Sequence, residues 1–157
     1  MTRSRGRSLR GKRLYAAAPC GRRRATTMSG AVRQDGGTAC MTVEGAMNAE
    51  VFRTYIREIL LPTMRAGDIL VMDNLSVHKD AEALRLLKEA EITVKFLPAY
   101  SPDYNPIELM WSKVKSFLRK VGARTPEALV EAIGDALAKV TKKDATHWLA
   151  HCGYGFI

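Results

Sequence analysis

The spacing of hydrophobic residues changes several times along the chain, and each change predicts a different element. Two β-like stretches, 25–33 and 38–44, flank the segment 34–37, whose Asp-Gly pair is a strong hairpin signal. Residues 48–64 repeat apolar side chains at helical spacing, which predicts a helix. The uninterrupted apolar run Ile69–Met72 is expected for a strand buried on both faces of a sheet.

The second half of the chain continues this alternation of strand and helix patterns. A strand, a helix and a strand in that order imply a right-handed crossover and a parallel pair. The complete order fits an α/β fold with one mixed sheet, antiparallel at one side and parallel at the other, covered by helices. The later predicted elements are a helix at 79–90, a strand at 92–97, a loop at 98–105, a helix at 106–121, a helix from Thr125 and a short helix within 144–157.

Charge is distributed unevenly along this chain of 157 residues, whose net charge is +9. Residues 1–34 contain ten Lys and Arg and no Asp or Glu, so the other 15 bases and 16 acids give a net charge of −1. The hydrophobic content of 46% is typical of a soluble globular domain. No apolar run approaches the ~20 residues that span a bilayer, which argues against a membrane protein. The three cysteines lack CxxC spacing and indicate reduced thiols in an intracellular protein.

The excess positive charge lies in a basic arm, residues 1–24. Such an arm suits the DNA phosphate backbone, whose contacts depend on charge and not on base sequence. A solvated loop is one alternative, and an Arg- and Ser-rich N-terminus without acids also resembles an organellar transit peptide. The candidate DNA-contacting residues of the arm are Arg3, Arg5, Arg7, Arg10, Lys12 and Arg13.

Two carboxylates stand at the ends of predicted elements, where they could converge on a divalent metal ion. Asp73 follows the strand at 69–72, and the carboxyl ends of parallel strands are common ligand sites. The alternative is that Asp73 and Asn74 only turn the chain. Glu108 begins a helix three residues after Asn105, so its alternative role is a capping box in which it hydrogen-bonds the amide of that residue.

Basic residues follow Glu108 on one face of the same predicted helix. Lys115 and Arg119 occupy the positions i+7 and i+11, where they could hold DNA beside a metal-bound carboxylate. A solvated charged face is the alternative interpretation. His147 and His151 are four residues apart, but position 148 is Trp and no second ligand cluster accompanies them, so zinc binding is weakly supported.

Two sequence motifs resemble a known family. DNLSVH at 73–78 and LPAYSPDYNPIELMWSKVK at 97–115 closely resemble the catalytic core of mariner-like bacterial insertion-sequence transposases of the DDE superfamily. The signature of that core is DNxxxH followed by YSPxxNPIExxWxxxK, with 34 residues between its second and third acids. Asp73 and Glu108 also enclose 34 residues.

The resemblance implies a ribonuclease H-like catalytic domain at 25–157 that binds two divalent ions, Mg²⁺ or Mn²⁺. Asp73 matches the second catalytic acid and Glu108 the third, and both would be metal ligands that keep the ions about 4 Å apart across the scissile phosphate. The implied partners are transposon-end and target DNA, with a homodimer or an upstream transposase half as a possible protein partner. The implied location is the bacterial cytoplasm, at the nucleoid. Residues expected to support the ligands or shape the loops are Asn74, His78, Tyr100 and Asn105.

One element of the family pattern is missing from the sequence. The first catalytic Asp is expected on a strand before the hairpin, and this chain starts with Met1, just after that position. Asp35, in the predicted turn, and Glu44, at the end of the hairpin, do not follow a suitable strand. We therefore expect an N-terminally truncated transposase without its first strand and its helix-turn-helix region, which cleaves poorly alone. The alternatives are a non-catalytic DNA-binding or oligomerising fragment that modulates full-length transposase, and an unfolded product of a decayed gene.

Overall fold

The computed structural model describes residues 7–13, 15 and 26–155. Across these residues the chain is α/β, as predicted. No helix within the described ranges is long and apolar enough to cross a membrane. The strands and α-helices in chain order are β1 (Thr26–Val32), β2 (Thr38–Glu44), α1 (Ala49–Thr54), β3 (Ile69–Met72), α2 (Ala81–Glu89), β4 (Thr93–Phe96), α3 (Pro106–Val121), α4 (Pro126–Leu137) and α5 (Lys142–His151).

The predicted hairpin is confirmed. β1 and β2 pair antiparallel, and the N–H of Arg33 donates to the carbonyl of Gly37 at 2.8 Å across the turn. Gly36 has a φ of +92°, and a Cβ at this position would lie 2.5 Å from the backbone nitrogen of Lys142. The turn therefore requires glycine for its left-handed backbone and for its close contact with the start of α5.

The helix predicted at 48–64 changes type along its length. After α1 the chain continues as a π-helix, Tyr55–Leu60, and ends in a 3₁₀ turn, Leu61–Thr63. The hydroxyl of Tyr55 donates to the carbonyl of Ala39 in β2 at 3.0 Å, and burial raises the pKa of this phenol. This buried hydrogen bond fixes the helical segment against the hairpin.

β3 and β4 form the predicted parallel pair, with Ile69 opposite Thr93 and Met72 opposite Phe96. The expectation that β3 is buried on both faces was wrong, because Ile69 is 64% exposed and only Met72 is buried. In the part of the chain that the structure describes, too few elements pack on this short pair to cover both of its faces.

The prediction of one mixed sheet was also wrong for the described residues. The hairpin and the parallel pair are separate two-stranded sheets. Side chains connect them instead, since Nη1 of Arg33 lies 2.6 Å from Oδ2 of Asp68 and 3.1 Å from the carbonyl of Thr63. The hydrogen bond from Arg33 lowers the pKa of Asp68.

The predicted helices of the C-terminal half are confirmed. α3 has the predicted bounds, and the side chain of Thr125 caps α4 by accepting from the N–H of Ala128 at 3.2 Å. The tail helix is α5, which begins with a capping box between Thr141 and Asp144. Val130 of α4 is 52% exposed, whereas Ala132, Ile133 and Ala136 of the same helix are buried.

The chain divides into two compact units, and α3 begins in the larger one and continues into the smaller. Within the described ranges, the larger unit contains 26–110 and 140–155, and the smaller contains 7–13, 15 and 111–139. The predicted boundary between the arm and the catalytic domain lies outside the described residues and stays a prediction. The core of the larger unit consists of Ala39, Phe52, Tyr55, Ile56, Leu60, Met72, Ala83, Leu87 and Ile92.

Candidate functional site

Asp73 directly follows β3, at the carboxyl end of the parallel pair. Its side chain is 43% exposed, so its carboxylate can reach a ligand in solvent. Oδ1 also accepts a hydrogen bond from the N–H of Leu75 at 3.4 Å, which is the turn role considered as its alternative. Asn74 is exposed beside it. The turn and an open carboxylate therefore coexist at this strand end.

The structure brings His78 to Asp73. A 3₁₀ helix, Ser76–Lys79, carries the His78 ring back to the strand end, where Nδ1 lies 2.6 Å from Oδ1 of Asp73. Nδ1 is buried, and its contact with Oδ1 has the distance of an ion pair but does not have the geometry of a hydrogen bond. The other side of the ring packs on buried Phe52, with ring centroids 4.8 Å apart. His78 is thus held between a core aromatic ring and the candidate metal ligand.

A second contact from α1 fixes the same loop. Arg53 donates from Nε and Nη2 to the two carboxylate oxygens of Asp80, both at 2.8 Å. Asp80 also caps α2 by accepting from the N–H of Ala83 at 3.0 Å, and the Arg53 guanidinium lowers the pKa of Asp80 to about 2. Phe52 and Arg53 are adjacent in α1, so one helical turn supports both ends of the His78 segment. This pair is not among the residues predicted from the sequence, although an Asp before a helical pattern is a recognisable cap signal.

Glu108 lies exposed in the first turn of α3. The capping box considered as its alternative role is not formed, because the Asn105 N–H donates to the carbonyl of Pro102 at 2.9 Å. The Asn105 side chain accepts from the N–H of Ile107 at 3.4 Å, which is a different capping contact. No described residue forms a hydrogen bond or an ion pair with the Glu108 carboxylate. This acid is therefore available to a metal ion or another ligand.

The loop at 98–105 connects the two halves of the site. The N–H of Leu97 donates to the carbonyl of Met72 at 2.8 Å, so the loop starts at the same sheet edge as Asp73. A 3₁₀ turn, Pro102–Tyr104, follows, and the hydroxyl of Tyr154 donates to the carbonyl of Tyr104 at 2.9 Å. The loop thus leads from the Asp73 edge to the start of α3 along a fixed backbone.

The donor set is suited to a hard divalent cation. Mg²⁺ prefers oxygen ligands and is commonly held by one or two carboxylates together with phosphate oxygens and water. Asp73 and Glu108 supply carboxylates of that kind, and both are accessible to solvent. Within 7–13, 15 and 26–155, no group of three or more His, Cys, Asp or Glu is arranged to hold a metal ion. Asp35 does not join the pair, since its carboxylate accepts from the N–H of Gly37 in the hairpin turn.

The candidate DNA-contacting residues are exposed wherever they are described. Lys115 and Arg119 lie on later turns of α3, and Nε of Arg119 donates to the carbonyl of Lys115 at 3.0 Å. Arg3 and Arg5 lie outside the described residues, so their predicted contacts are untested. The exposed residues of the arm are Arg7, Arg10, Lys12 and Arg13.

A protein-family model described as DDE superfamily endonuclease matches residues 1–129, a range that includes β1 to β4, both candidate acids and the whole of α3. No curated protein matches the chain.

Proposed function

We propose the following function for this chain, which belongs to the DDE superfamily endonuclease family. The proposed function is metal-dependent DNA cleavage and strand transfer during transposition of a mariner-like bacterial insertion sequence. The substrates would be transposon ends and target DNA, and a second copy of the chain or an upstream transposase half would complete the assembly. The observation that supports this most is the pair of open carboxylates, Asp73 after a parallel strand and Glu108 at the start of α3.

Asp73 and Glu108 would hold Mg²⁺ or Mn²⁺ against a phosphate of the bound DNA. The chemistry that such an ion supplies is activation of the attacking oxygen and stabilisation of charge on the phosphate. His78 would keep the Asp73 carboxylate in position through its Nδ1 contact, while Phe52 closes the protein side of that contact to water. Exposed Lys115 and Arg119 would bind phosphates of a DNA backbone.

Two carboxylates supply too few ligands for a two-metal site, because each ion of such a site requires several oxygen ligands. We propose that this chain contributes two of the three acids and that the remaining ligand must come from a further segment. A ribonuclease H-like topology would join the hairpin and the parallel pair into one sheet through that segment. The Arg33–Asp68 ion pair supports this, since it already connects the end of β1 to the start of β3.

The test measures metal binding and cleavage separately. We expect Asp73→Asn and Glu108→Gln to weaken Mn²⁺ binding in calorimetry by at least about tenfold, because each removes one oxygen donor. The matched controls Asp135→Asn and Glu131→Gln change exposed acids of α4 and should bind Mn²⁺ as the unmodified chain does. Equal Mn²⁺ affinity in all four variants would remove the proposed metal site.

Cleavage is tested with Mg²⁺ and supercoiled plasmid. We expect the chain alone to nick the plasmid slowly or not at all, because its acid set is incomplete. Fast nicking that disappears in Asp73→Asn would mean that two acids suffice and would overturn that part of the proposal.

A second function, non-catalytic DNA binding, is supported by the exposed basic arm. It predicts that Arg7→Ala, Arg10→Ala and Arg13→Ala together lower DNA affinity, while the acid substitutions change neither metal binding nor any activity. The salt dependence of binding should then become less steep as each phosphate contact is lost.

A further inference from the structure

Tyr100 combines an unfavourable backbone with an unused side chain. Its φ is +56°, the left-handed region that bulky side chains rarely adopt, and its side chain is fully exposed at 103%. The ring has no hydrogen bond or ring contact with any described residue. The fold therefore maintains a strained residue whose aromatic ring contributes nothing to packing, and strain of this kind concentrates at functional sites.

The neighbouring backbone holds Tyr100 in place. The hydroxyl of Ser101 donates to the carbonyl of Ala99 at 3.3 Å, and the N–H of Tyr104 donates to the carbonyl of Ser101 at 3.2 Å. The hydroxyl of Tyr154 fixes the carbonyl of Tyr104 from the other side. These hydrogen bonds fix the loop before and after Ser101, and the exposed ring of Tyr100 extends from this fixed loop.

Tyr100 also lies near the candidate acids. Leu97 bonds to the carbonyl of Met72, the residue before Asp73, and three residues of chain reach at most roughly 11 Å. Along the chain, Glu108 follows Tyr100 by one 3₁₀ turn and the start of α3. The Cα of Tyr100 therefore lies within roughly 11 Å of the Cα of Leu97, which bonds to the sheet edge that carries Asp73.

We propose that Tyr100 stacks on a nucleobase of the DNA strand whose phosphate approaches Asp73 and Glu108. This inference rests on the DNA substrate of the proposed function. An exposed ring on a fixed backbone can stack on any base, because each base has a π-face, and such a contact needs no base-specific hydrogen bond. Stacking next to the reacting phosphate would hold the strand in register with the acids. The ligand is an unpaired base, since a base within duplex DNA has both of its faces occupied.

The test uses the full chain and a duplex with a single-stranded 3′ tail that carries 2-aminopurine, in buffer without divalent cations. We expect Tyr100→Ala to weaken binding about tenfold in fluorescence anisotropy and to abolish the quenching of 2-aminopurine. Tyr100→Phe and Tyr100→Trp keep an aromatic face and should bind like the unmodified chain. Tyr104→Ala is the matched control, because Tyr104 is an exposed tyrosine of the same loop with an ordinary backbone.

A tail with an abasic position distinguishes a loss of stacking from other causes of weaker DNA binding. We expect Tyr100→Ala to have no further effect on a tail that lacks the stacked base. Unchanged affinity of Tyr100→Ala for the intact tail, an equal loss on the abasic tail, or failure of Tyr100→Phe to bind would each overturn the proposal.

Failure of the proposed function has a different signature. Equal Mn²⁺ affinity in Asp73→Asn, Glu108→Gln and their α4 controls would remove the proposed metal site, and the stacking test without divalent cations would still stand. A chain that binds no DNA would remove both proposals, whereas normal DNA binding by Tyr100→Ala would remove only the stacking role.

Discussion

In the part of the chain that the structure describes, Tyr100 and Glu91 are non-glycine residues with positive φ, and replacing either with glycine should stabilise the protein, although only the Tyr100 replacement should weaken DNA binding. Tyr100 has a φ of +56° and Glu91 a φ of +59°. A left-handed backbone costs a residue with a Cβ about 1–2 kcal/mol relative to the right-handed region. Glycine avoids this cost but loses about 0.5–1 kcal/mol through the greater freedom of the unfolded chain. We therefore expect Tyr100→Gly and Glu91→Gly each to stabilise by about 0.5–1 kcal/mol.

The loss of the Tyr100 and Glu91 side chains should itself change the free energy of unfolding very little. Both are exposed, and no described residue bonds to either, so their removal uncovers no packed surface. For a chain of this length the expected rise in Tm is about 2 °C for each variant in a thermal melt followed by circular dichroism. Tyr100→Gly should then lose affinity for tailed DNA, while Glu91→Gly should keep it. A Tm that falls in Tyr100→Gly and rises in Glu91→Gly would refute the reasoning, because the Tyr100 ring would then have a structural role.

Three further predictions concern the loop after β3, the hairpin turn and the histidine beside Asp73. The pKa of Asp80 is about 2 in the folded chain and near 3.9 in an unfolded one. The stabilisation that Asp80 contributes is therefore complete above about pH 4 and decreases as the pH falls towards 2. In urea melts at a series of pH values, Asp80→Asn should make the free energy of unfolding depend less on pH in this range. Gly36→Ala should destabilise the protein by about 2 kcal/mol or more, because its Cβ would strain the backbone and collide with the start of α5. Gly134 of α4 has open space around it, so Gly134→Ala should stabilise the protein by about 0.5–1 kcal/mol in the same melts. His78→Ala should weaken Mn²⁺ binding in calorimetry about tenfold, because Asp73 would lose its neighbour; unchanged affinity would contradict a supporting role.

The elements that could be predicted from the sequence are those specified by nearby residues. The Asp-Gly pair of the hairpin fixes a turn through its own backbone requirements, and β1 and β2 form on either side of it. The start of α3 is equally local, because Pro106 suits the first position of a helix. The parallel pairing of β3 and β4 also follows from the strand–helix–strand order.

The features that could not be predicted depend on contacts between distant residues. The separation of the strands into two sheets depends on which backbone edges meet, and the hydrophobic pattern contains no such information. The Arg53–Asp80 pair joins α1 to the start of α2, and neither residue indicates its partner. The open carboxylate of Glu108 results from a competing bond of the Asn105 amide to Pro102, which the Asn-x-x-Glu pattern alone does not reveal.

The contact between Gly36 and Lys142 has a consequence for the timing of synthesis. These residues are 106 positions apart, and residues 111–139 of the smaller unit are made between them. At about 5–20 residues per second a ribosome needs roughly 5–20 s to pass from one to the other. During that interval the hairpin tip of a nascent chain lacks the helix that packs against it. The larger unit therefore completes its folding only after residues 111–139 of the smaller unit have been made.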